Sequence, residues 1–179
     1  MSLNLNRLDE YPIVSIDCET TGVHWYRDNL FGVAIAAYDG ERIYAEYHDI
    51  RTNPKIIPLL RDKVSQLRLL VNHNLKFDAH FLSNEGIQIP FDRIECTSVR
   101  SALINEWEPS FSLDSLAKKY LHESKIDIYP ELAALFGGPA TRTAQIKNLH
   151  RAPEELARKY AIKDPELAIR LWLWQEQEI

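Results

Sequence analysis

Ser15–Gly22 reads SIDCETTG, the end of a strand that looks buried yet carries two carboxylates, Asp17 and Glu19, with one residue between them. Side chains two apart on a strand point to the same face. Asp17 and Glu19 therefore share a face, while Ile16 and Cys18 point the other way into a core. An unpaired buried carboxylate costs several kcal/mol. Such a strand must either expose the pair at its end or bring something positive to it.

The flanking residues place this strand in a sheet. Ile13–Cys18 leads into the turn-like Thr20-Thr21-Gly22, and Phe31–Tyr38 (FGVAIAAY) is apolar enough for the middle of a sheet. Asp39-Gly40 is a hairpin signal, and Arg42–His48 alternates as a returning strand. The first three strands thus form an antiparallel meander. Asn53-Pro54 opens a helix that carries Ile57, Leu60, Val64 and Leu67 at helical spacing. Leu69–Asn72 is a short interior strand, Leu75–Asn84 a helix stopped near Gly86, and Ile94–Thr97 a fifth strand. Ser112 opens a helix with Leu113, Leu116, Ala117 and Tyr120 on one face. Gly137-Gly138-Pro139 breaks the pattern, and the segment up to Pro153 reads as a loop or a loosely held helix. Pro153 starts a long final helix, with Glu154 and Glu155 placed against its dipole. The expected class is α/β, a mixed five-stranded sheet flanked by helices.

Composition narrows the function. The 179 residues suggest one domain, 1–179, and are 45% hydrophobic and 26% charged, as in a globular protein. A net charge of −5 argues against holding nucleic acid by bulk positive field, though not against an enzyme that binds it locally and releases it. The two cysteines, Cys18 and Cys96, cannot make a four-ligand zinc site or a disulfide framework, so a reducing, cytoplasmic setting is expected. The N-terminus is too polar for a signal peptide, and no apolar run approaches ~20 residues.

Two further segments carry acids. In VNHNLKFDAHFL, Val71–Leu82, a strand feeds a helix with Asp78 in its first turns; Phe77, Phe81 and Leu82 can face the sheet. His73 and His80 read as packed or surface histidines. In YAIKD, Tyr160–Asp164, a phenol and a carboxylate project from one helix face at i and i+4. Taken singly, each segment also fits a bland reading: exposed acids at a strand edge, a solvated Asp, or ordinary helix neighbours. Taken together, four acids from three segments make a concentrated negative site. Two divalent cations would balance it, and hard oxygen ligands suit Mg²⁺ or Mn²⁺. Paired metals are the usual apparatus for displacement at phosphorus.

The order and neighbours of these residues resemble the DEDD superfamily of 3′→5′ exonucleases, and more narrowly the proofreading exonuclease domain of family A DNA polymerases. The resemblance runs from about Ile13 to Trp172. IDCETTG matches the first motif, NLKFD the second in its polymerase form, and YAIKD the third in its tyrosine form; FSLDSLAKKYL, Phe111–Leu121, resembles the helix between motifs two and three. Where the other subfamily carries a histidine, five residues before the last Asp, this chain has Lys159, so it resembles the tyrosine subfamily.

The resemblance implies a ribonuclease H-like fold. It also implies that Asp17, Glu19, Asp78 and Asp164 hold two Mg²⁺ or Mn²⁺ ions over the 3′-terminal phosphodiester, with Tyr160 orienting the attacking water. A phenol of pKa ≈ 10 is a poor base at neutral pH. The implied products are 5′-mononucleotides, and the implied partner is a single-stranded or frayed DNA 3′ end. For the substrate, the resemblance points to Thr20, to Val23 as a wedge helped by Trp25 or Tyr26, to Asn74, and to Tyr129 as a second aromatic. Core packing is the alternative for Trp25 and Tyr129. Arg142, Lys147, His150 and Arg151 either guide phosphates or form a solvated surface. Pro165 departs from the pattern and predicts a kink that shifts Asp164. RNA 3′-end trimming and a non-catalytic binding module are the competing readings. The NLKFD string favours DNA, because RNA-processing members usually lack it. A polymerase would be served in cis or in trans, since the chain stops soon after the third motif.

Overall fold

The computed structural model describes residues 2–179. Strands β1 (Ile13–Thr20), β2 (Leu30–Tyr38), β3 (Ile43–Asp49), β4 (Leu70–Asn72) and β5 (Ile94–Cys96) form one sheet in the order β3-β2-β1-β4-β5. β1 pairs antiparallel with β2 and parallel with β4; β2 pairs antiparallel with β3, and β4 parallel with β5. The fold is the expected ribonuclease H-like mixed sheet with its meander. The β2–β3 turn is closed by Asp39, whose Oδ1 accepts hydrogen bonds from the Glu41 and Arg42 amides, both at 2.8 Å. Gly40 takes the positive φ of 109° that the turn requires.

Strand parity decides which residues meet which helices. On one face, Val14, Ile16 and Cys18 of β1 join Val33, Ile35 and Ala37 of β2. Helices α1 (Ile56–Lys63) and α2 (Leu75–Asn84) cover that face with Ile56, Leu60, Phe81 and Leu82. Each such side chain contributes about 1.5–3 kcal/mol on burial. The opposite face carries Asp17 and Glu19, set against the small Ala34 and Gly32 of β2. It is packed by α7 (Glu154–Ala161) and α8 (Lys163–Glu178). Between these layers in the chain lie α3 (Thr97–Ile104), α4 (Leu113–Leu116), α5 (Tyr129–Phe136) and α6 (Arg142–Gln145).

Three expectations need correction. The helix opened by Ser112 is capped as expected, its Oγ accepting from the Ser115 amide at 3.3 Å, but after Leu116 it widens into a π turn over Ala117–Leu121. Leu113, Leu116 and Ala117 still pack together, against Leu167 and Leu171 of α8. The segment before Pro153 is firmly seated: α6 and a following 3₁₀ turn, Ile146–Arg151, bury Gln145, Asn148 and Leu149. The final helix is interrupted at Ile162, whose own backbone stays helical (φ −63°, ψ −27°), instead of running unbroken from Pro153. A proline at position i cannot donate to the carbonyl at i−4 and its ring crowds that carbonyl. For Pro165 that residue is Ala161, so the fault falls one turn before the proline. Asp164 stays buried in the first turn of α8. Among the described residues no helix is long and apolar enough to cross a membrane.

Candidate active site

The site forms where β1 ends. Between Glu19 and Thr20 the register with β2 shifts, so that Glu19 faces Gly32 and Thr20 faces Leu30. Such a bulge re-aims side chains and ends pairing. Glu19 is buried and Asp17 half-buried on the face that α7 and α8 cover. Asp78 reaches the same place from α2. Its Oδ1 accepts the Cys18 amide at 2.9 Å, and its Oδ2 accepts Asn72 Nδ2 at 3.0 Å. Asn72 also straddles β1, accepting from the Ile16 amide at 3.0 Å and donating to the Ile16 carbonyl at 2.6 Å. The turn from β4 into α2 runs through Asn74 with φ 53°, a left-handed conformation that Asn tolerates.

Tyr160 and Asp164 lie on either side of the Ile162 break, both buried. Asp164 Oδ2 is 2.6 Å from Lys125 Nζ, and Asp164 Oδ1 is buried with no hydrogen-bond partner. Lys125 Nζ also lies 5.5 Å from the centre of the Tyr160 ring, and the Tyr129 and Tyr160 ring centres are 6.5 Å apart.

The electrostatics are those of crowded acids. Burial pushes the Asp17 carboxyl well above its usual range, helped by repulsion from Asp78, Asp164 and Glu19. Burial and Asp164 raise Glu19 to about 8. Burial raises Asp78 to about 7 against the opposing bonds from Cys18 and Asn72. Asp164 is raised by burial too, with Lys125 pulling the other way. Among the described residues no other salt bridge engages these four acids, and no three metal-binding side chains are yet closed around one point. The donor set, all carboxylate oxygens with one of them orphaned, fits hard divalent cations.

The four motif acids and Tyr160 are thus brought together, and the bland reading of Asp78 as a solvated residue is overturned. The predicted substrate residues occupy different surroundings. Thr20 is partly buried, its Oγ1 donating to the Gly22 carbonyl at 2.7 Å. Val23, Trp25 and Tyr26 stand exposed on the following loop, so core packing does not hold for Trp25; its ring stacks on His80 at 4.7 Å. Asn74 and Trp25 line a cleft of about 230 Å³ with Lys76, Phe77, His80 and Phe81. Tyr129 is half-buried against the Tyr160 cluster. Of the basic residues, Arg142 bears electrostatically on Asp164. Lys147 is exposed, His150 packs near Phe31, and Arg151 covers the Phe136 ring. His73 is a packed histidine, bonded through its two nitrogens to Thr97 and Phe111. A larger cleft, about 430 Å³ between the edge strand β3 and α7, contains none of the predicted site residues.

Lys125 and Asn72 were not legible beforehand. Asn72 left a faint signal, a polar residue closing an apolar strand. Lys125 left none, because it sits in an irregular segment that matches no motif.

Buried acids from β1, α2 and α8 thus gather at the end of β1 in a sheet of this order, and comparison with known proteins supplies the family. A family described as 3′-5′ exonuclease matches residues 3–176. The chain belongs to this 3′-5′ exonuclease family, which occurs in family A DNA polymerase-like proteins. It is 55% identical over 175 residues to DNA polymerase DpoZ of Salmonella phage PMBT28, covering 97% of this chain and 28% of that protein. It is 27% identical to DNA polymerase I of Pseudomonas aeruginosa PAO1, covering 97% of this chain and 19% of that protein. The chain thus spans under a third of these relatives. In fold it resembles Brucella melitensis NrnC with bound Mg²⁺, with a TM-score of 0.65 at 23% identity over 99% of this chain and 78% of that one. It also resembles Escherichia coli RNase D, with a TM-score of 0.58 at 16% identity over 97% of this chain and 42% of that one.

Proposed function

We propose that residues 1–179 act as a metal-dependent 3′→5′ exonuclease of the tyrosine subfamily. It would remove 5′-mononucleotides from single-stranded or frayed DNA 3′ ends, in the service of a DNA polymerase. The observation that supports this most is the convergence of Asp17, Glu19, Asp78 and Asp164, with Tyr160, at the end of β1.

The acids Asp17, Glu19, Asp78 and Asp164 would hold two Mg²⁺ or Mn²⁺ ions, and the Mg²⁺ reported for the fold relative NrnC is consistent with that choice. The chemistry supplied by two such cations is activation of water and stabilisation of the leaving oxygen. Tyr160 keeps its proton, because burial and the charges of Glu19 and Asp164 push its phenol up. It therefore orients the attacking water by hydrogen bonding and does not act as a base. Water adds to phosphorus, the 3′-oxygen of the penultimate nucleotide leaves and takes up a proton, and the terminal nucleotide departs with its 5′-phosphate. Asn72 and the Cys18 amide keep Asp78 aimed at this point. Val23, Trp25 and Tyr26 offer exposed surfaces on which bases can stack, a sequence-tolerant contact of about 1–3 kcal/mol per base. Asn74, which lines the cleft beside Trp25, and Thr20 and Tyr129 would contribute further substrate contacts.

The test is digestion of a 5′-labelled oligodeoxynucleotide and its RNA counterpart, with Mg²⁺ and with EDTA. Stepwise Mg²⁺-dependent shortening of the DNA is expected. Preferential shortening of the RNA would mark an RNA-trimming enzyme, and binding without cleavage would mark a non-catalytic module.

A further inference from the structure

The site contains a cation that the reading above leaves unused. Lys125 Nζ sits between Asp164 Oδ2, at 2.6 Å, and the Tyr160 ring, at 5.5 Å. The pair uses only one carboxylate oxygen: Asp164 Oδ1 is buried without a partner. The segment carrying Lys125 is anchored through its backbone: the Lys125 amide donates to Asp114 Oδ1 at 3.0 Å, and Asp114 Oδ2 accepts from Lys118 Nζ at 2.6 Å. The ammonium can therefore leave Asp164 without loosening that segment. Its side chain keeps 27% of its surface exposed, so solvent and ligands can reach it.

Charge counting gives the ammonium a task. Four carboxylates and one phosphodiester carry five negative charges, and two divalent cations supply four positive ones. One positive charge is missing, and Lys125 is the cation in contact with the acids.

We propose that Lys125 is a phosphate-binding residue of the nuclease site, parked on Asp164 in the free protein and transferred to a non-bridging oxygen of the terminal phosphodiester when cations and substrate enter. This rests on the exonuclease reading. While parked, the ammonium competes with incoming cations for Asp164. Once transferred, it binds the phosphate as a point charge with three donors, and its place beside Tyr160 puts it where the attacking water is oriented.

The experiment compares wild type, Lys125→Met and Lys125→Arg in two measurements. In the first, Mn²⁺ is titrated into substrate-free protein and followed by calorimetry. Lys125→Met, having lost the competitor, is expected to bind Mn²⁺ several-fold more tightly. In the second, a fluorescent oligodeoxynucleotide is titrated in Ca²⁺, with its integrity checked afterwards. Its terminal linkage is either a phosphodiester or a neutral methylphosphonate. Wild type should lose about 10- to 100-fold more affinity for the neutral linkage than Lys125→Met does, the size of one charged hydrogen bond, because the loss owed to the cations is common to both. Lys125→Arg should restore part of the discrimination. Equal Mn²⁺ affinity in wild type and Lys125→Met, or equal discrimination between the two linkages, overturns the proposal. If wild type neither binds Mn²⁺ nor shortens DNA, the exonuclease reading itself has failed. Thermal melts of all three proteins identify a variant that does not fold, in which case Lys125→Arg carries the comparison.

Discussion

Asn72 Nδ2 lies 3.0 Å from Asp78 Oδ2, and through this contact the end of β4 sets the position of an acid that belongs to α2. The same amide group bonds the amide and the carbonyl of Ile16 on β1. One side chain thus ties the two strands and the helix that meet at the site. Asn72→Ala would strand several buried polar groups, at a cost of about 2–4 kcal/mol. Urea denaturation should show that loss, and nuclease activity under folding conditions should fall further than stability does. Full activity in the folded variant would show that Asp78 needs no such guide.

Asp17 has no ion-pair partner and is half-buried among like charges. Asp17→Ala should abolish cleavage by orders of magnitude while the fold survives. In EDTA it should also melt slightly above wild type, because repulsion is relieved. Mg²⁺ should raise the wild-type Tm, since a ligand at 100 times its Kd adds about 2.7 kcal/mol. The variant should gain less. Normal cleavage by Asp17→Ala would show that the site has been assigned to the wrong residues.

Gly32 faces Glu19 across the β1–β2 register, and a Cβ built on it would lie 2.2 Å from Tyr47 Oη. Gly32→Ala should cost about 1–3 kcal/mol by overpacking and weaken cleavage through displacement of the strand behind Glu19. Tyr47→Phe removes a buried hydroxyl that has no partner and should be nearly neutral. Tyr47 Cε2 and Cζ would still lie 2.7 Å from the new Cβ, so Tyr47→Phe should rescue Gly32→Ala little, whereas Tyr47→Leu, which removes the ring, should make Gly32→Ala cost less than it does in wild type. An equal cost of Gly32→Ala in the Tyr47→Leu background would contradict the clash.

His73 is held neutral by burial, its pKa lowered to about 4, while its Nε2–H donates to the Phe111 carbonyl and Nδ1 accepts from Thr97. The unfolded chain takes up the proton near pH 6.5, before the folded protein does. The stability His73 contributes is therefore present above pH 6.5 and lost as pH falls toward about 4. The loss should amount to about 1.4 kcal/mol per pH unit within that window. His73→Gln should be less stable than wild type at pH 7 but lose less between pH 7 and pH 5. The site acids affect both proteins alike and cancel in the comparison. Equal losses would place His73 outside this account.

Much of this protein was readable locally. Asp39-Gly40 dictates a hairpin because its backbone geometry suits few other pairs, and the period of two in β1 assigns Asp17 and Glu19 to one face before any partner is known. Asp78 and Asp164 were recognisable by their neighbours in NLKFD and YAIKD, which are contiguous strings. The interruption at Ile162 has a local cause in Pro165, since a proline disturbs the carbonyl four residues before it.

The amino-acid order by itself determined the strands, their faces and the acids, because periodicity, turn chemistry and motif strings are properties of neighbouring residues. The tertiary structure alone decided that Asn72 steers Asp78 and that Trp25 stacks in the open on His80. It also decided that Lys125 is the cation lying against Asp164. Those pairings join residues far apart in the chain, and only the packing of helices onto the sheet brings such residues within hydrogen-bonding distance.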